Sequence, residues 1–273
     1  MALDPASQAT LYLGANMREA DVHSLAQGVA AVFSARCPSQ DRPNEDAAAL
    51  IPFDERSGVL VVADGLGGLP GGEQASGLAV RSIQAAVARS AADGTPLRGA
   101  ILDGIEQANR AIGALGSGAA TTLAAVEIRD GSVRPYHVGD SMVLVVGQRG
   151  KIKLQTVSHS PVGFAVESGM LDEAEALHHE DRHIVSNVIG ASDMRIEVGS
   201  GRKLALRDTL LLASDGLFDN LRHEEIVSYL RTGRIEQVAK RLADLARKRM
   251  TEPAGEDPSK PDDLTFVAFR RIG

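Results

Sequence analysis

Tryptophan is absent, and all aromatic residues together make up 3% of the 273-residue chain. Single-stranded nucleic acid is held by stacking on such rings, so composition disfavours that partner. Charge points the same way: 36 acidic against 29 basic residues give a formal net charge of -7, where a nucleic-acid binder carries a basic face. Cysteine occurs once, at Cys37. It can form no internal disulfide, which fits a reducing compartment, and it reads as a small residue in or beside a strand, not as a catalytic thiol. No apolar run approaches the ~18 residues of a membrane span. The first residues, MALDPASQATLYLGANMREAD, lack the basic start and apolar centre of a secretory signal. The expectation is a cytoplasmic protein with neither membrane nor nucleic acid as partner.

What is present is an ordinary globular balance, 44% hydrophobic and 24% charged, in a chain long enough for one large domain with a buried core. Residues 1–28 are mixed and polar and are expected to form an N-terminal extension, either a tail or an edge element; residues 29–273 are expected to form a single domain. Strands are predicted over 29–36, 46–51 and 58–63. Apolar residues at helical spacing predict helices over 74–89 and 97–115. A meander follows at 121–128, 132–138, 142–146 and 151–157, with Gly131 and Gly150 in the hairpin turns. Consecutive hairpins, in place of alternating strands and helices, disfavour a doubly wound parallel sheet. Residues 158–200 are polar, with one short helix predicted near 171–177, and an irregular stretch of this length is usually a functional flap. A strand at 209–213, helices at 223–230 and 235–250 and a last strand at 264–270 complete the pattern.

Acidic residues gather at the ends of these strands. The β-branched run before Asp64 stops at a glycine-rich turn, GVLVVADGLGGLPGGEQAS, and the arrangement recurs as TLLLASDG around Asp215. Glu45, Asp46, Asp140, Asp262 and Asp263 occupy similar places. One such Asp is normally a cap or turn residue. Several converging on one point would repel one another unless a cation neutralised them, and oxygen donors suit Mg2+ or Mn2+.

NED at 44–46, DGLGGLPGGEQAS at 64–76, TTL at 121–123, GDS at 139–141, SDGLFD at 214–219 and DDLTFV at 262–267 together resemble the ordered motifs of the metal-dependent Ser/Thr protein phosphatases (PPM, type 2C) in their bacterial form. The resemblance runs from about residue 29 to the C-terminus. It implies an α+β fold, a four-layer αββα sandwich of two antiparallel sheets flanked by antiparallel helix pairs. It implies that Asp64 bridges two metals, Mn2+ or Mg2+, that the Gly65 carbonyl binds one, that Asp215 and Asp262 bind the other, and that Asp46 with Glu45 holds the site directly or through water. Asp140, with Asp215, matches the position of a third metal. The substrates implied are phosphoserine and phosphothreonine in proteins, products of a Ser/Thr kinase, and a monomer is expected. Paired divalent ions about 3.5–4 Å apart can turn a bridging water into hydroxide at neutral pH, which then attacks phosphorus in line. No GxSxG elbow or other protein nucleophile is suggested.

Three departures from the family pattern stand out. The phosphate-gripping Arg usually lies five residues before the position of Asp46; here that place is Asp41, so Arg42 is the candidate and Arg36 its rival. Leu66 stands where eukaryotic relatives carry a His that protonates the leaving group, and Met142 replaces an Arg that often follows GDS. These leave two alternatives: a pseudophosphatase that only binds a phosphoprotein, or an esterase for small phosphomonoesters. A separate pattern, HExxH at 179–183, matches zinc proteases but lacks an apolar-faced helix and a third ligand, and reads as solvated flap. The glycine loop at 65–72 lacks the GK[ST] of a nucleotide cradle.

Overall fold

Short runs of Ala, Val, Leu and Ile with few polar interruptions build strands buried on both faces, and in the computed structural model these strands form two stacked antiparallel sheets. The structure describes residues 9–66, 71–255 and 257–272. The first sheet runs in the order β1 (Thr10–Leu13), β4 (Asp46–Pro52), β5 (Ser57–Asp64), β6 (Leu123–Arg129), β7 (Ser132–Val138), β10 (Glu197–Val198), with β11 (Arg202–Lys203) also on β7. The second runs β2 (Asp21–Leu25), β3 (Gly28–Ala35), β13 (Leu264–Arg271), β12 (Thr209–Ala213), β8 (Met142–Val146), β9 (Ile152–Gln155).

Three apolar layers hold the stack together. Between the sheets, Leu50, Leu60, Val62 and Val126 meet Val32, Leu212, Val267 and Phe269. Outside the first sheet, α1 (Gly72–Asp93) packs on the opposite faces of β4 and β5, burying Ala79, Ile83 and Val87, and α2 (Leu97–Gly113) packs on α1, adding Ile101, Ile105 and Ile112 to the same apolar cluster. Outside the second lie α5 (Asp215–Phe218), α6 (His223–Leu230) and α7 (Ile235–Thr251), the last burying Ile235, Val238, Leu242 and Ala246 against Phe33 and Phe266. The result is the expected four-layer αββα sandwich, and most of the predicted elements agree in position to within a few residues.

The N-terminal segment is an edge element from residue 10 onward. Its two short strands go to different sheets: β1 pairs with β4 and β2 with β3. The flap carries more structure than the one predicted helix. It holds α3 (Pro161–Glu167), capped by the Ser160 hydroxyl accepting from Gly163 N–H, α4 (Glu173–Ala176), with an Asp172–Glu175 capping box, and a 3-10 turn at Glu180–His183. Among its helical residues only Val162 is buried, so its apolar pattern was too sparse to read. In the glycine-rich turn, residues 67–70 lie outside the described residues.

Candidate active site

β4 and β5 pair in a register that sets Asp46, the first residue of one, opposite Asp64, the last residue of the other. Past Asp64 the chain is fastened by its own carbonyl, which accepts from Thr122 N–H at 2.8 Å and from the Thr121 hydroxyl at 2.7 Å. The next residue has to be glycine: a Cβ on Gly65 would lie 2.2 Å from the Gly72 carbonyl oxygen and 2.6 Å from that of Glu45. The other sheet delivers Asp215 two residues after β12 and Asp262 two residues before β13. Gly216 lets these two segments touch, since a Cβ there would meet the Asp263 carbonyl oxygen at 1.9 Å. Asp140 comes from the β7–β8 turn.

Burial and mutual repulsion dominate the electrostatics. Burial, then the charges of Asp46, Asp215, Asp262 and Asp140, push the Asp64 carboxyl well above the usual carboxylate range. Asp46 is raised by burial and by Asp263; its Oδ2 accepts from the Ser214 hydroxyl at 2.9 Å, while its buried Oδ1 has no hydrogen-bond partner. Asp140 is pushed up to about 8 by burial, then by Asp215 and Asp219. Asp262 reaches about 7 and Asp219 about 6, burial and then Asp215 being the causes in both.

Two cations enter the cluster. Arg42 contacts Glu45 and lies 3.3 Å from Asp263 and 3.9 Å from Asp262. The Lys260 ammonium lies 2.5 Å from Asp215, 2.8 Å from Asp219 and 3.3 Å from Asp262, and these charges hold it protonated well above the ordinary lysine range despite its burial. Asp263 is structural glue: its oxygens accept from Cys37 N–H at 2.6 Å and Glu45 N–H at 2.8 Å, tying the loop at 37–45 to the start of β13.

A hard divalent cation fits this donor set. The oxygens are carboxylates and backbone carbonyls, the acids repel one another, and an orphaned buried carboxylate oxygen on Asp46 costs free energy until a cation or donor reaches it. Beside the cluster lies a cavity of about 390 Å³, walled by Asp140, Asp215 and Asp219 on one side and by the flap residues Val162, Leu177 and Arg182 on the other.

The sequence-derived acids Asp46, Asp64, Asp140, Asp215 and Asp262 thus face one another, with Glu45 and Gly65 at the margin and Arg42 beside them. Arg36 instead pairs with the exposed Asp41 at 2.7 Å. Two participants escaped sequence reading. Asp219 could have been found, because it lies four residues after Asp215 and so on the same side of a helical turn; Lys260 offered no such signal.

The HExxH residues form no zinc site. They lie on a 3-10 turn, His179 Nδ1 accepts from Asp181 N–H, and His183 Nδ1 is occupied by the Glu180 carbonyl. Another His-rich group, His137, His159 and Glu197, has ligand atoms within 4.8 Å of one another, but the ring lone pair of His159 is already taken by hydrogen bonds. His159 Nδ1 accepts from Gly139 N–H at 3.1 Å and from the Asn187 amide at 2.9 Å. The proton of His159 is therefore on Nε2, donated to Glu197 at 3.1 Å, and His137 Nε2 likewise donates to the Val157 carbonyl at 2.9 Å. His159 braces the turn that carries Asp140.

The family model for Protein phosphatase 2C matches residues 35–252. Protein phosphatase PhpP of Streptococcus pneumoniae is 32% identical over 176 residues, 62% of this chain and 70% of that protein. The crystal structure of serine/threonine phosphatase Stp1 from Staphylococcus aureus superposes with a TM-score of 0.76 at 26% identity, covering 95% of this chain and 100% of that one. The catalytic domain of serine/threonine protein phosphatase PstP in complex with two manganese ions gives 0.67 at 26% identity, covering 89% and 98%.

Proposed function

The chain belongs to the protein phosphatase 2C family, and from that premise we propose that it removes phosphate from phosphoserine and phosphothreonine in proteins using divalent ions, Mn2+ or Mg2+, held by its strand-end carboxylates. One observation carries the assignment of the site: Asp46, Asp64, Asp140, Asp215 and Asp262 come from both sheets to one point, with an unpaired buried oxygen on Asp46. Asp64, the Gly65 carbonyl, Asp215 and Asp262 would hold two such ions, with Asp64 shared between them. Asp46 and Glu45 would hold the site from the β4 side, directly or through water, and Asp140 with Asp215 would take a third ion. Such ions, when bound, acidify water to yield a nucleophile at neutral pH and offset charge on the phosphoryl oxygens.

The rest of the reaction falls to the chain's own residues. Arg42 projects among Glu45, Asp262 and Asp263, where its fork can hold two phosphoryl oxygens. Arg36, bound to Asp41 at the exposed surface, is not assigned that role. Leu66 at the position after Asp64-Gly65 supplies no proton, so the leaving alkoxide takes one from water. The flap and the cavity beneath it receive the peptide around the phosphorylated residue. We assign residues 29–273 to one phosphatase domain, to which the 1–28 segment lends its edge strands, and we place it in the cytoplasm as a monomer acting on the substrates of a Ser/Thr kinase. No helix among the described residues is long and apolar enough to cross a membrane.

The test is turnover of a phosphothreonine peptide and of p-nitrophenyl phosphate with Mn2+, with Mg2+ and after chelation. Metal-dependent release of phosphate from both is the expected result. Hydrolysis of small esters alone would favour a small-molecule phosphomonoesterase, and no turnover with either metal would refute the catalytic reading in favour of a pseudophosphatase.

A further inference from the structure

Lys260 is not a surface lysine that happens to lean on acids, because its backbone is fixed first. The fully buried Asn220 side chain binds both of its peptide groups: Oδ1 accepts from the Lys260 N–H at 2.8 Å, and Nδ2 donates to the Lys260 carbonyl at 2.8 Å. The same Nδ2 donates to the Gly216 carbonyl at 2.9 Å, so the residue after Asp215 and the residue that carries the ammonium share one clamp. One position earlier, the Ser259 hydroxyl donates to the Arg249 carbonyl on α7 at 2.8 Å. From this anchorage the side chain, 22% exposed, reaches Oδ2 of Asp215, Asp219 and Asp262. Two of these three acids are the ones assigned to a divalent ion. No cation among the described residues pairs with Asp46, Asp64 or Asp140.

We propose that Lys260 is a tethered counter-ion that competes with a divalent ion for Asp215 and Asp262. It keeps these carboxylates together while no ion is bound, and it raises the ion concentration required at that position. An ammonium donates hydrogen bonds to the oxygens that a metal would take as ligands, so full coordination requires the lysine to withdraw. Its 22% exposure gives the side chain a route outward while Asn220 keeps the backbone in place. The proposal rests on the metal-dependent reading above, and it divides the site into a half open to ions and a half gated by the protein's own charge.

Mn2+ binding to the full chain, followed by electron paramagnetic resonance of the free ion, tests this without recourse to turnover. The neutral variant Lys260→Met is expected to bind its weakest Mn2+ about tenfold more tightly or more, given the Coulomb interaction of charges this close. Its metal-free form is expected to melt several degrees below wild type, with the two proteins converging at saturating Mn2+, while Lys260→Arg stays near wild type in both respects. Lys260→Gln is the second neutral variant should the methionine form fold poorly. Unchanged or weaker Mn2+ binding in the neutral variants overturns the proposal, as does a raised KM with unaltered Mn2+ affinity, which would make Lys260 a phosphate-binding residue. Wild-type protein that binds no Mn2+ overturns the metal-dependent reading itself, and so the two failures are distinguishable.

Discussion

Asp215, Asp219 and Asp262, on the β12–β13 side, share the Lys260 ammonium, whereas Asp46, Asp64 and Asp140 share no cation among the described residues. Burial is the largest influence on Asp219 and Asp262 as it is on Asp46, Asp64 and Asp140, yet these carboxyls differ in how far they are displaced. Asp219 and Asp262, whose shifts Lys260 opposes, reach about 6 and about 7. Asp140 reaches about 8 with Lys260 as a weaker counterweight, and Asp64, with no opposing charge among its main influences, stands well above the carboxylate range. The difference teaches where an external cation is needed most. Desolvated like charges are costly unless neutralised, and the uncompensated deficit is at the paired ends of β4 and β5.

The severest way to break this comparison is to remove Asp64. Asp64→Ala is expected to lower p-nitrophenyl phosphate turnover with Mn2+ by at least about a thousandfold, above the range for losing one preorganised donor; near-normal turnover would refute its bridging place. Next comes Arg42→Ala. If Arg42 holds ground-state phosphate, KM rises by about tenfold while kcat changes little, and an unchanged KM would return Arg36 to consideration.

A smaller effect separates the halves through pH. Each raised carboxyl binds its proton more readily in the folded chain than in the unfolded one, so its contribution to stability is full below the unfolded value near ~4. That contribution is lost as pH rises through the folded value, about 8 for Asp140. The metal-free protein is therefore expected to lose several degrees of Tm between about pH 5.5 and 8.5, with Mn2+ flattening the slope. Asp64→Asn should flatten the metal-free slope more than Asp262→Asn does; equal slopes in the two variants would erase the distinction between the halves. The smallest expected change is that of Ser214→Ala, which removes the hydroxyl on Asp46 Oδ2 and should cost about 1–2 kcal/mol in urea unfolding of the Mn2+-loaded protein.

Much of this was legible in the sequence, for identifiable reasons. β4, β5, β12 and β13 are buried on both faces and so read as unbroken apolar runs, and the stripe Ile235, Val238, Leu242 on α7 marks a helix face. The acids stood out because each lies at one end of an apolar run, Asp46 and Asp262 at the start and Asp64 and Asp215 at the finish. β1 and β2 were not resolved as strands, since their pattern is short and their hold depends on partners far along the chain: Leu11 opposite Ala49, and Val22 opposite Ala31. The flap was hidden for a related reason. Its helices are held by caps and by His159, whose carbonyl accepts from Ser186 N–H at 2.8 Å, and caps leave little periodic signal. Lys260 owes its place to Asn220, 40 positions away, a contact that no local pattern announces.

The two short N-terminal strands have an effect out of proportion to their length. One segment covers β4 and the other covers β3, so a chain beginning at residue 29 would bare a row of unsatisfied backbone groups on both sheets at once. Such rows invite pairing with another molecule. Shortened protein should therefore self-associate into strand-swapped or aggregated species before its catalytic chemistry is altered.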